Sequence, residues 1–86
     1  MATEKSASLS ERTSLSLHRA DVCVRVGAKI RKLRTDKGWT QQVLADHADI
    51  ERSHLARLEE GRREAGIIML EKIADALEVD IIELLR

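Results

Sequence analysis

The chain has 86 residues, no proline and Trp39 as its only aromatic, with Leu, Ile, Val and Ala dominating its apolar set; it is one domain at most, of a composition that suits helices. Cys23 stands alone, which excludes an internal disulfide and fits a reducing cytoplasm, and no stretch has the length of a membrane span or the pattern of a signal peptide. Net charge is zero, which excludes a uniformly basic nucleic-acid binder, but residues 1–63 hold 13 Lys/Arg against 9 Asp/Glu and residues 64–86 hold 2 against 6. The first of these parts is the one that can face phosphates.

Residues 1–20 carry five serines and keep no helical period in Leu9, Leu15 and Leu17. Ser8-x-x-Glu11 has the form of a capping box, but serine and threonine weaken the helix it would start. The stretch reads as a flexible arm, with Lys5, Arg12 and Arg19 as its candidate contacts to DNA or a partner. The domain proper is expected over 21–86. Asp21 is taken as the first N-cap, after which Val22, Val26, Ile30 and Leu33 run down one face at i, i+4, i+8, i+11. Lys29, Arg31, Lys32 and Lys37 mark the wet side, and Gly38 ends the helix. Cys23 borders the apolar face as a small core residue. His18, His47 and His54 show no ligand spacing, so no metal site and no cofactor are expected.

Thr40 is placed to cap a second helix, Gln41 to Ala48, in which Leu44, Ala45 and Ala48 share a face. A third follows with Leu55 and Leu58 at i, i+3, and Gly61 stops it. Only Asp49, Ile50 and Glu51 lie between the two. So short a link sets the helices at a steep angle, the geometry of a helix-turn-helix. Asp49 takes the turn position, and Asp tolerates a left-handed backbone better than most residues. Glu51 is read as the cap of the third helix, favourable against its dipole. With Leu55 and Leu58 buried, Ser53, Ala56 and Arg57 point outward and Arg52 sits on the flank. An arginine fork matches the two acceptors on the guanine edge. Arg52, Ser53 and Arg57 are therefore the candidate base readers, and Gln41, Gln42, His54, Arg62 and Arg63 the candidate phosphate contacts.

Beyond Gly61, Met69, Leu70, Ile73, Ala74 and Leu77 form the stripe of a fourth helix. Asp80 is expected to cap a fifth, whose Ile81, Ile82, Leu84 and Leu85 exceed what one face of a short helix can bury. These four are assigned to a homodimer interface.

Arg31-x-x-Arg34, Lys37-Gly38-Trp39-Thr40-Gln41-Gln42-x-Leu44-Ala45, Ser53 through Arg63 and Leu70 through Val79 follow one another in register. Together they resemble the phage-repressor and Cro-like (Xre-type) helix-turn-helix family over residues 22–86. The resemblance implies an all-α, five-helix repressor-like DNA-binding domain with the helix-turn-helix at helices 2 and 3, dimeric on an inverted repeat. It implies that Arg34 pairs with Glu59 as a structural tie, that the first glutamine of helix 2 bonds phosphate or a reader side chain, and that the loop holding Arg62 and Arg63 tracks the DNA backbone. Asp49 stands where the family usually carries glycine, and Ala65-Gly66 where it often carries Pro-Ser, which makes Gly66 a poorer cap. Trp39 is read as covering the core edge between helices 1 and 2.

The expected function is a sequence-specific transcriptional regulator, a repressor in type, with double-stranded DNA as partner and no membrane. The alternative is a protein-interaction module on the same fold, such as the antitoxin of a toxin–antitoxin pair, with a protein partner. No nucleophile–base pair, phosphate-cradling glycine loop or metal cluster points to an enzyme.

Overall fold

The computed structural model describes residues 20–86, in which five helices and no strand occur. The first, α1, covers 20–36. Ala20 is already helical, so Asp21 lies inside α1 and is not its N-cap, which would carry a non-helical backbone. The arm assigned to residues 1–20, with Lys5, Arg12, Arg19 and the box from Ser8 to Glu11, lies outside the described residues except for Ala20. Gly38, at φ +74°, ends α1, and the Trp39 N–H donates back to the Arg34 carbonyl at 3.1 Å.

Then come α2 (Gln41–Ala48), α3 (Arg52–Glu59), α4 (Ile67–Leu77) and α5 (Ile81–Leu85). The Thr40 hydroxyl caps α2 by accepting from the Val43 N–H at 3.2 Å. Glu51 and Asp80 occupy cap positions, but neither side chain makes a capping bond. Both are exposed, so water solvates their carboxylates instead. Gly66 opens α4 with an extended backbone and no side chain to cap with.

Val26 and Ile30 of α1, Leu44, Ala45 and Ala48 of α2, Leu55 and Leu58 of α3, the α4 stripe and Leu84 make one core. Each large aliphatic among them contributes about 1.5–3 kcal/mol by leaving water. Leu84 is wholly buried there, which removes it from the surface assigned to a dimer. Leu84 takes the innermost position of this five-residue helix, with Ile81 three residues before it on the same side. Ile81 is half-buried against the core, while Ile82 and Leu85 are 58% and 43% exposed.

Two features fix α1 across the end of α3. Gly27 comes so close that a Cβ there would fall 2.8 Å from the Glu59 carbonyl oxygen and closer still to that of Leu58. Gly61, at φ +71°, lies against Val24 in the same way, a Cβ there meeting its Cα at 2.8 Å. No side chain fits between the two backbones. Beside this crossing, Arg34 and Glu59 are buried together, with the Arg34 Nε donating to Glu59 Oε2 at 2.6 Å and Nη2 to Oε1 at 2.9 Å. Arg34 Nη1 donates to the Trp39 carbonyl at 2.8 Å. The hydrogen bonds to Glu59 raise the guanidinium pKa above its ordinary value, against the opposing effect of burial and with the carboxylate's charge adding to the rise. A raised pKa stabilises the fold wherever arginine is charged, and that contribution fades only as pH climbs past the arginine range.

The tie makes a stability prediction. Glu59→Ala strands a buried guanidinium and is expected to cost about 3–5 kcal/mol. Glu60→Ala removes an exposed carboxylate, which among the described residues pairs with Arg62 alone, and is expected to cost under about 1 kcal/mol. Thermal melts of the two variants check this, and equal midpoints contradict it.

Candidate nucleic-acid interface

Between α2 and α3 lie only Asp49, Ile50 and Glu51. Asp49 adopts the left-handed conformation expected of it, φ 56° and ψ 51°. Its N–H donates to the carbonyls of Ala45 and Asp46, and the Ile50 N–H reaches Ala45 at 3.0 Å. That closes the last turn of α2 and sends the chain sharply into α3. Ile50 packs against the core, so the turn is anchored from below.

On α3, Leu55, Leu58 and Glu59 face inward. Arg52, Ser53 and Arg57 are exposed, and His54 and Ala56 are half-buried at the borders. Neither Arg52 nor Arg57 forms an ion pair among the described residues, so both guanidinium groups are open to a ligand. Ser53 lies one turn before Arg57 on the same outer strip. A helix so placed, with its inner face locked and its outer face short-chained between two arginines, can enter a groove without obstruction.

Besides half-buried His54, the other four assigned phosphate contacts divide into three kinds. Arg63 is exposed and forms no ion pair among the described residues. Arg62 is exposed but donates to Glu60 Oε2 at 3.0 Å, and Gln42 is exposed and donates to Asp46 Oδ1 at 2.9 Å. Gln41 is half-buried, and its Nε2 donates to Glu59 Oε1 at 3.1 Å, so it belongs to the buried network as much as to the surface. Trp39 stacks on His47 of α2, with ring centroids 4.5 Å apart, and Lys37 lies 5.0 Å from its ring. It covers an edge of the core, and its partner His47 had drawn no such role from the sequence.

Gly27 also went unassigned, though its signal is present in the chain. A glycine inside a helix costs about 1 kcal/mol relative to alanine, so its place between core residues Val26 and Ile30 needs a reason. The crossing with α3 supplies it. Ile67 and Ile68 form an exposed pair, each 65% accessible, that no sequence period marks. Both precede the periodic stripe of α4.

A family model described as helix-turn-helix matches residues 30–84. The control protein C.MunI from a Mycoplasma species is 34% identical over 65 residues, covering 74% of this chain and 88% of that protein. The immunity repressor protein of Bacillus phage phi105 is 36% identical over 56 residues, covering 65% of this chain but 39% of the repressor. The crystal structure of the restriction-modification controller protein C.AhdI from Aeromonas hydrophila superposes with a TM-score of 0.71 at 35% identity, covering 72% of this chain and 94% of that one. With its left-handed turn at Asp49, its outward arginines and its buried Arg34–Glu59 tie, the chain belongs to the helix-turn-helix family of the phage-repressor and Cro-like (Xre) type.

Proposed function

We propose that the protein is a sequence-specific transcriptional regulator that lays α3 in the major groove of DNA and binds an inverted repeat as a homodimer. The observation that carries this reading is the outer strip of α3. Arg52, Ser53 and Arg57 are exposed on a helix whose opposite face is fixed by core packing and a buried ion pair. The major groove is wide enough for a helix, and each arginine can fork onto the two acceptors of a guanine. Gln41, Gln42, His54, Arg62 and Arg63 would set the register on phosphates, which position without specifying sequence. Relatives named as a control protein, an immunity repressor and a restriction-modification controller support the same role.

Arg57→Ala is expected to cost about 1–3 kcal/mol on the preferred site and to relax preference at one base position. Arg63→Ala is expected to weaken all sequences alike and to lower the slope of log K against log salt by about one unit. Arg62→Ala should cost less than Arg63→Ala, because Arg62 must first release Glu60. Equilibrium binding at several salt concentrations reads all three. An unchanged motif and affinity for Arg57→Ala would remove α3 from the groove.

The dimer rests on apolar surface left open by a single subunit. Ile82 and Leu85 of α5 are exposed, and Leu85 also lines an open cavity of about 290 Å³ with Val22, Cys23, Val26, Leu58 and Leu70. A single recognition helix reads too few base pairs to select one site, and two-fold pairing doubles the contacts. Ile82→Asp is expected to give a folded monomer with weak DNA binding, whereas Leu84→Asp, which buries a charge in the core, should unfold the chain. Sedimentation at micromolar concentration checks this. A wild type that stays monomeric, with one subunit per DNA site, contradicts it.

A further inference from the structure

Glu59 is placed by the family resemblance as the structural partner of Arg34, yet its carboxylate carries a third bond which that role does not require. Oε2 accepts from Arg34 Nε at 2.6 Å, while Oε1 accepts from Arg34 Nη2 at 2.9 Å and from Gln41 Nε2 at 3.1 Å. Gln41 is the first residue of α2, next to the Thr40 cap, and is half-buried. We infer that Glu59 is a positioning residue for DNA contact: by holding the Gln41 amide nitrogen before DNA arrives, it aims that nitrogen's second N–H at a backbone phosphate. The inference rests on the DNA-binding reading above and adds the residue that orients one of its contacts.

The orientation follows from donor chemistry. An ionised carboxylate can only accept, so the amide edge facing Glu59 is the nitrogen and not the oxygen. An amide nitrogen carries two N–H donors. One is taken by Glu59, and the other diverges from it. The Glu59 side chain is 2% exposed, so water has little access to the acceptor end of the bond. Gln42 provides the contrast, since its partner Asp46 is exposed and solvent competes there. A glutamine ordered in the free protein loses no further rotamer freedom on binding. Arg34 also neutralises Glu59, so a phosphate drawn to Gln41 does not meet a bare carboxylate behind it.

The test uses the whole protein and a mixed-sequence duplex of about 20 base pairs, two helical turns. In nuclear magnetic resonance spectra of the free wild type, one Gln41 side-chain amide proton should be protected from exchange while both Gln42 protons exchange freely. On adding duplex, the other Gln41 proton should shift. Gln41→Leu should weaken duplex binding about tenfold, the loss of one bond to a charged acceptor. It should leave the salt slope unchanged, because a neutral amide displaces no counterion. A general loosening of the fold would instead lower both. In a Glu59→Gln background the loss from Gln41→Leu should shrink to under about twofold, because an unheld amide has little contact left to lose. Additive losses overturn the inference, and so does free exchange of both Gln41 protons in the wild type, a result that needs no variant to fold. If the wild type binds duplex and Arg63→Ala weakens it but Gln41→Leu does not, the inference alone fails. If the wild type binds no duplex at any salt concentration, the DNA-binding reading fails and takes the inference with it.

Discussion

Two opposite charges buried side by side set the geometry of this domain. Arg34 and Glu59 are each less than a tenth exposed and meet through two parallel hydrogen bonds. Such a pair is a poor source of net stability, since taking both charges out of water costs about as much as their attraction returns. Its value lies in direction. A forked donor on a planar carboxylate tolerates little rotation, whereas an apolar contact at the same place could slide. Because Glu59 is the last residue of α3, the bond sets where that helix ends relative to α1, and hence where its outer strip points. The glycines at 27 and 61 serve the same crossing by letting backbones meet without side chains between them.

Local features of this fold were readable from the chain because their causes are local. The Thr40 cap depends on a hydroxyl three residues before the N–H it accepts from, and the turn at Asp49 on a residue that tolerates positive φ. The stripe of α4 is long enough for its period to show. Leu84 is core and not interface: a five-residue helix is too short for a period, so its buried and exposed aliphatics look alike in sequence. Glu51 and Asp80 have cap chemistry and cap positions, but an exposed carboxylate chooses between a backbone N–H and water by small margins. Residue type alone makes Asp21 a candidate cap and does not reveal that Ala20 before it is already helical. Glu59's pairing with Arg34 came from family resemblance, and its bond to Gln41 from neither source, because it joins residues 18 apart across two elements.

The candidate interface shows the same division. Exposure of Arg52, Ser53 and Arg57 follows from the helical wheel once Leu55 and Leu58 are buried. Which polar side chains are already engaged does not follow from it. Arg62 with Glu60 and Gln42 with Asp46 are occupied in the free chain, while Arg63 forms no ion pair among the described residues. With no net charge to draw DNA from a distance, the proposed binding rests on short-range contacts and, in the proposed dimer, on their duplication by a second subunit.

Selection of bound sequences from a pool of random duplexes tests the central claim, that α3 reads base edges from a two-fold dimer. The account predicts enrichment of an inverted repeat with guanines within each half-site and half-site centres about 34 Å apart, one turn of DNA. A pool that emerges unenriched, or enriched in a single asymmetric half-site, would contradict it.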